Sequence, residues 1–493
     1  IATSTLLSQD IGVCYSLFPI AFADSNGDGM GDINGIREKL QYLKYDLGVD
    51  CIWLNPVHPS PTYHKYDVVD YLAIDPVFGQ MEDYENLIKE MNELDMYLIM
   101  DFVINHTSSK HPWFQAAKQK DETYRDYYRW LTKDQLKDHH MKGDWHIGGN
   151  TYYYGGFWSE MPELNLENEK VREELKAIAG FWLNKGVDGF RIDAAKHLYD
   201  KAEYPEDFNA LDANISFLNE LSTYIKSINE NAFIISEVLI NYKSASAYYE
   251  GSEALFNFDI GEVLLNAAYV GSTDLADTMQ YYIEQMEQYD NRVMGTFLSN
   301  HDQNRSIEAL ARSHSRAKVA ANLLLTLPGL PFIYYGEEIG MIGKKPDEDI
   351  REPFVWGDDS SYNTAWNPSF KNLNENTPSL EEQMADDDSL FNSYKDMIKV
   401  RKDNPVLAYG GISHVETGIK AIIAYIRSDN ENKLLVVHNT LDREISLKLN
   451  AASDIKLLYS QDMESSLSNG TLVLEGRSVV IIDLLNNDGI TME

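Results

Sequence analysis

The segment Val187-Asp188-Gly189-Phe190-Arg191-Ile192-Asp193 is a short apolar run that closes on a carboxylate. Such a run suits a strand buried on both faces, and a carboxylate at its end marks where the chain leaves the sheet. The residues before it read as a helix, because Val171, Leu175, Ile178 and Trp182 fall at spacings of four, three and four along one stripe. A second helical pattern separates it from the next apolar run, Phe233–Glu237. Working outward, the same alternation predicts strands at Ile11–Phe18, Cys51–Leu54, Tyr97–Val103, Ala254–Phe258, Met294–Ser299 and Pro331–Tyr335. Eight strands joined by helices predict an α/β chain whose parallel sheet closes into a (β/α)8 TIM barrel.

Two stretches break this rhythm. Residues 107–170 are rich in Tyr, Trp, His and Gly, as in Tyr152-Tyr153-Tyr154-Gly155-Gly156-Phe157-Trp158, and read as a subdomain inserted after the third strand. Most of its aromatic residues are expected to form its own core, a few to offer flat faces to a ligand. After Arg401-Lys402-Asp403-Asn404-Pro405, alternating runs such as Lys433–His438 and Leu472–Leu484 take over. They predict a C-terminal antiparallel β-sandwich over 405–493, leaving the barrel to 1–106 and 171–404.

With 44% hydrophobic and 24% charged residues the chain has ample material for a core and no mark of disorder. No apolar run approaches the roughly 18 residues of a membrane span. The excess of 78 acidic over 42 basic residues gives a net charge of −36, which repels a phosphate backbone and argues against nucleic acid as a partner. A neutral substrate is indifferent to that field. The same charge fits a saline habitat, where screening relieves self-repulsion, or simply an acidic surface. Cys14 and Cys51 lie in apolar runs and are expected as a buried free pair, although adjacent strands would permit a disulfide. The sequence opens Ile1-Ala2-Thr3, from which a removed leader and secretion or surface export are expected, with a cytoplasmic location left open. A monomer is expected.

In a parallel barrel, reactive groups belong at the C-terminal ends of strands. Four strands here end in polar residues: Asp101-Phe102-Val103-Ile104-Asn105-His106, Gly189-Phe190-Arg191-Ile192-Asp193, Ile234-Ile235-Ser236-Glu237 and Phe297-Leu298-Ser299-Asn300-His301-Asp302. One such carboxylate is commonplace as a helix cap or ion-pair partner. Several on one rim suit glycoside hydrolysis with retention, which needs an ionised carboxyl and a protonated one about 5–5.5 Å apart.

These four segments resemble the four signature regions of the α-amylase family, glycoside hydrolase family 13. Gly48-Val49-Asp50-Cys51-Ile52-Trp53-Leu54-Asn55-Pro56 and Phe332-Ile333-Tyr334-Tyr335-Gly336-Glu337-Glu338 are similar to its second and eighth strands, so the likeness spans essentially the whole chain. The resemblance implies an α-glucan substrate, with Asp193 as nucleophile, Glu237 as general acid/base and Asp302 orienting the sugar. It further implies that Arg191 keeps Asp193 ionised, that His106 and His301 donate hydrogen bonds to the sugar, and that Tyr66 stacks on it. Lys196 and His197, three and four residues beyond Asp193, are expected to meet the leaving-group sugar.

Asp24-Ser25-Asn26-Gly27-Asp28-Gly29-Met30-Gly31-Asp32 places oxygen side chains at alternate positions, like the first half of an EF-hand loop. The likeness stops at position 12, where Gly35 stands in place of a bidentate Glu. The oligo-1,6-glucosidase and neopullulanase branches of the family imply a structural Ca2+ held there by Asp24, Asn26, Asp28, the Met30 carbonyl and Asp32. A separate calcium site of many α-amylases would use Asn105. Met161-Pro162-Glu163-Leu164-Asn165 resembles the family's fifth region with a neopullulanase-like opening, though Glu163 replaces the usual Asp. Ala194-Ala195-Lys196-His197 is similar to typical α-amylases, so the chain looks intermediate between branches. Endo-type cleavage of α-1,4 bonds is expected, with an oligosaccharide-directed glucosidase or transglycosylating enzyme of the same family as the alternative. A non-catalytic scaffold of this fold is disfavoured because all three carboxylates are present.

Overall fold

All eight predicted barrel strands form in the computed structural model, which describes residues 11–451, 455–462, 464–484 and 490–492. They are β1 Cys14–Leu17, β2 Cys51–Leu54, β3 Tyr97–Phe102, β4 Gly189–Ile192, β5 Phe233–Ser236, β6 Ala254–Phe256, β7 Val293–Phe297 and β8 Leu330–Tyr334. Each pairs in parallel with its neighbours and β8 closes on β1, giving a complete barrel. Most stop one or two residues short of the predicted end, so the polar residues lie just past the last ladder bonds.

Strand alternation decides what the barrel contains. Its interior is filled by Cys51 and Trp53 of β2, Ile99 of β3, Phe233 and Ile235 of β5, Phe256 of β6, Phe297 of β7 and Phe332 of β8. Continuing the same two-residue period carries Asp101, Arg191, Asp193 and Glu237 inward at the upper rim. Gly189 occupies the matching lower position on β4, where a Cβ would lie 2.1 Å from the Phe233 carbonyl oxygen. Only glycine allows β4 and β5 to approach this closely.

The helix Glu169–Asn184 sets β4 in place. Asn168 caps it by accepting from the Lys170 amide, and Val171, Leu175, Ile178 and Trp182 are buried as one stripe. Trp182 is fully buried and donates to the Tyr71 carbonyl at 2.9 Å, so truncating it to alanine would cost about 3–5 kcal/mol. Gly186, at φ +100°, turns the chain back into the barrel.

Cys14 and Cys51, expected as free thiols, are joined in a disulfide. The reason is register: β1 and β2 pair with Cys14 opposite Cys51, and the two Cα atoms are 4.5 Å apart, within bridging range.

Between β3 and β4 lies a three-stranded antiparallel sheet of Trp130–Leu131, Trp145–Gly148 and Thr151–Tyr154, the last in the middle. Its aromatic residues pack on one another, Phe114 against Trp130 and Tyr153, whereas Phe157 and Trp158 stay half exposed. A bridge of His106 to Glu163 fastens this segment to the rim of the barrel, and one of Tyr128 to Leu164 ties the segment to itself. Beyond a short helix, Val406–Tyr409, five antiparallel strands face a four-stranded sheet across a separate core that includes Leu435, Val480, Leu447 and Leu472. This is the anticipated sandwich. Among the described residues no helix is long and apolar enough to cross a membrane.

Candidate active site

Arg191 organises the rim. Its side chain is buried, and one terminal nitrogen lies 2.9 Å from Asp101 Oδ1 and 2.5 Å from Asp193 Oδ1, while the other lies 2.7 Å from Glu237 Oε2. The Trp53 indole passes beneath the guanidinium at 4.9 Å. Trp53 Nε1 and the Tyr66 hydroxyl donate to Asp101 Oδ2 at 3.1 and 2.8 Å, so Asp101 spends its oxygens holding the platform. Glu237 Oε2 also accepts the Ala194 amide at 2.9 Å. Ala194 directly follows Asp193 and adopts the left-handed conformation, φ 48°, a strained geometry that turns its N–H toward Glu237.

Burial pushes the Asp193 carboxyl up to about 6; Arg191 pulls it down, and nearby Asp101 adds to the rise. The guanidinium therefore tempers the shift rather than bringing the group to its ordinary value. Burial likewise raises Glu237, again opposed by Arg191 and reinforced by Asp193 and Asp302. Asp302 differs. Although burial acts to raise it, His301 and then Arg351 hold its carboxyl well below the usual range. The rim thus pairs a readily ionised carboxyl, Asp302, with two whose charge is costly.

Asp193, Glu237 and Asp302 converge on a cavity of about 480 Å³, and Tyr66, His106, Lys196 and His197 line it as well. One face of Tyr66 lies flat on His301, ring centroids 5.3 Å apart. Arg191 and His301 are absent from the wall. His301 is fully buried beside Phe18 and Trp53, with Nε2 2.9 Å from the Tyr66 hydroxyl and 3.1 Å from Asp302 Oδ2. In this arrangement its Nε2 faces Asp302 and Tyr66. His106 meets Asn105 Oδ1 and the Tyr66 carbonyl, each at 2.9 Å, and burial lowers it to about 4, so it is neutral. His197 Nδ1 lies 2.6 Å from Asp200 Oδ2, which leaves Nε2 for a ligand. Lys196 Nζ reaches only the Leu239 carbonyl, at 3.4 Å.

The cavity also contains groups that the sequence did not single out. Arg351, on the segment after β8, bonds Asp302 Oδ1, the His301 carbonyl and the Tyr63 hydroxyl, each at 2.9 Å. Asp347, Lys345 and His64 stand beside it, and Phe157, Met161 and Leu239 complete the wall. Arg351 sits in Asp347-Glu348-Asp349-Ile350-Arg351-Glu352, which reads as a solvated loop; a side chain only 3% exposed is what sets it apart. Asp101 carried a usable signal, because it closes an apolar strand just as Asp193 does.

Away from the cavity, the oxygens of the 24–32 loop accept the loop's own amides. Asp24 takes those of Asn26, Gly27 and Gly29, Asn26 that of Asp28, Asp28 that of Met30, and Asp32 those of Ser25 and Gly35. Among the described residues no three His, Cys, Asp or Glu side chains converge as a ready-made metal site.

Residues 16–410 match the family described as alpha amylase, catalytic domain, and residues 422–481 match the alpha-amylase SusG C-terminal domain. The chain is 40% identical to Alpha-amylase 3 of Dictyoglomus thermophilum, over 96% of this chain and 93% of that protein. It is 31% identical to an oligo-1,6-glucosidase of Bacillus cereus, over 93% and 96% of the two chains. Among solved structures, the α-amylase from H. orenii superposes with a TM-score of 0.88 at 35% identity, covering 96% of this chain and 99% of the other.

Proposed function

Because this chain belongs to the α-amylase family, glycoside hydrolase family 13, and is thereby a glycosidase acting on α-glucans, we propose that it cleaves internal α-1,4 bonds of starch-like glucans with retention. The observation that carries this reading is the Arg191 clamp. Asp193 and Glu237 are each held by one of the two terminal nitrogens of the same guanidinium, which draws together the two carboxyls that a retaining mechanism needs about 5–5.5 Å apart. An inverting pair needs about 6.5–9.5 Å to admit a water.

Asp193, ionised above about pH 6, attacks the anomeric carbon while Glu237 gives its proton to the departing oxygen. Asp302 stays ionised throughout and favours the positive charge that develops on the sugar ring. Once Asp193 is esterified its charge is gone, so its share of the rise in Glu237 falls away, while burial, the larger cause, remains. Glu237 can then accept a proton from the attacking water. The pair titrates as a unit, and activity belongs to the window in which Asp193 has lost its proton and Glu237 has kept one.

The α-1,4 preference is supported by Lys196 and His197, two donors on the wall next to Glu237. An α-1,6-linked leaving sugar, displaced by its exocyclic carbon, would leave them unmet. Products from soluble starch, pullulan and isomaltose test the assignment: maltooligosaccharides released early from starch are expected, and faster cleavage of isomaltose than of maltotetraose overturns it. A structural Ca2+ at the 24–32 loop is supported by the order of the loop's oxygens and by three carboxylates within nine residues. Among the described residues none of the three, Asp24, Asp28 or Asp32, has a basic partner. Export is supported by the Cys14–Cys51 disulfide, since such bonds persist in oxidising compartments.

A further inference from the structure

A second cavity, of about 380 Å³, opens at the end of the barrel opposite the carboxylates. It lies where β7 and β8 begin, beside the helix Leu275–Met286 and against the chain that leads into the C-terminal sandwich. Ile283, Met286, Met294 and Leu330 make its interior apolar, and its two charged side chains are Arg292 and Glu287. Gly329, Gly410 and Gly411 supply wall without side chains. Behind that glycine wall stand two buried guanidinium groups, Arg401 and Arg427. Arg401 Nη2 donates to the Gly329 carbonyl at 2.5 Å, and Arg427 donates to the Gly410 and Gly411 carbonyls at 2.6 and 3.2 Å. Among the described residues neither has a carboxylate partner; carbonyl oxygens alone hold them. A buried cation without an anion is costly. Burial draws Arg401 down to about 10 and Arg427 to about 9, and Arg401 adds to the fall of Arg427, yet both stay charged at neutral pH. Arg292 fixes its Nε on the Tyr249 carbonyl at 2.7 Å, and among the described residues its terminal nitrogens make no hydrogen bond. The acids on this side do not cancel the three arginines. Glu287 is exposed, Glu253 is bonded to Lys226 at 2.9 Å, and Asp50, which crowds Gly12, is shared by Lys44 and Lys402.

We propose that this cavity binds a small amphipathic organic anion, its carboxylate on the terminal nitrogens of Arg292 and its apolar body against Ile283, Met286, Met294 and Leu330. The volume falls in the range of about 300–1,000 Å³ usual for small-molecule sites. A guanidinium with both terminal nitrogens open matches the two oxygens of a carboxylate, and Arg401 and Arg427 reinforce the attraction through a medium of low polarity. The chain as a whole, at −36, repels anions, so only a local surplus of positive charge can capture one. A sugar fits poorly here, because thioether and aliphatic side chains offer its hydroxyls few partners. An ammonium would meet three guanidinium groups. The site touches the barrel floor and the first residues of the sandwich together, so an occupant binds only the folded chain and stabilises it. The inference is independent of how the glycosidic bond is cleaved.

The test uses the whole enzyme and three probes that share one body and differ in charge: 3-phenylpropionate, 3-phenylpropanol and 3-phenylpropylamine. Calorimetric titration at fixed ionic strength is expected to show one equivalent of the propionate bound about tenfold more tightly than the alcohol, with no binding of the amine. Saturating propionate should also raise the Tm. Arg292→Gln should weaken the propionate about fivefold or more and leave the alcohol unchanged. Ala408→Phe, at a half-buried position in the wall, should abolish binding of both while starch hydrolysis persists. Should Ala408→Phe fail to fold, Arg292→Gln decides alone, since that side chain is partly exposed and its loss leaves the core intact. An anion held no more tightly than the alcohol or the amine, an affinity unmoved by Arg292→Gln, or binding that maltotriose displaces, which would place the probe among the catalytic carboxylates, overturns the site.

Discussion

Replacing Asp193 by Asn should silence the enzyme and at the same time make it more stable at neutral pH. The carboxyl is buried and rises from 3.8 to about 6, a value already net of the attraction of Arg191. At 1.36 kcal/mol per tenfold, ionising it costs the folded state about 3 kcal/mol at pH 7. Because the folded value lies above the ordinary one, the stability tied to the neutral carboxyl is complete below about pH 3.8. It is lost as pH rises through about 6. Asparagine is shaped like the protonated acid and keeps an oxygen for Arg191, so it never incurs that cost. With an unfolding entropy of about 2.1 cal/mol/K per residue over 493 residues, 3 kcal/mol corresponds to a rise of about 3 °C in Tm. At pH 5 the carboxyl is only partly ionised and the gain should be roughly half as large. Thermal unfolding by calorimetry or circular dichroism at pH 5, 6, 7 and 8 reads both magnitude and trend. An Asn variant that melts below wild type at pH 7, or whose advantage is the same at pH 5 as at pH 8, refutes the electrostatic account.

Chelation with EDTA should lower the Tm by mass action if the 24–32 loop holds calcium, and Asp28→Ala should abolish that sensitivity. A Tm indifferent to chelator, with no metal found by elemental analysis, makes the loop a plain turn. Lys196→Ala should reduce kcat/KM for maltotetraose roughly tenfold more than for an aryl α-glucoside, about 1.4 kcal/mol of contact with the leaving sugar, and equal losses on both substrates place the lysine outside that role. Activity on soluble starch should persist in molar sodium chloride, which screens the net charge of −36 without touching a neutral substrate. Loss of both activity and fold in that salt contradicts the saline reading.

The barrel was legible because its strands are short apolar runs with carboxylates where they end, and a closed parallel sheet leaves no other place for such carboxylates. The same alternation that buries Phe233 and Ile235 points Glu237 inward, so the fold and the rim carboxylates come from one pattern. Three features escaped it. Arg351 lies far along the chain in a charge-rich stretch, and only tertiary packing reveals that it is buried against Asp302. The Cys14–Cys51 bond depends on which residues face each other across β1 and β2, a register that apolar runs alone do not specify. The net rise of Asp193 in spite of Arg191 is the third, since sequence shows the neighbour of a carboxylate but not the depth at which both sit.

The most direct measurement of the central claim is peptide mapping by mass spectrometry after trapping with a 5-fluoro-α-glucosyl fluoride, which glycosylates a retaining enzyme faster than water releases it. The account predicts a single glucosyl adduct on the peptide containing Asp193, lost when that residue is Asn. A label on Glu237 or Asp302, or no covalent adduct from an enzyme that still turns over starch, would contradict it.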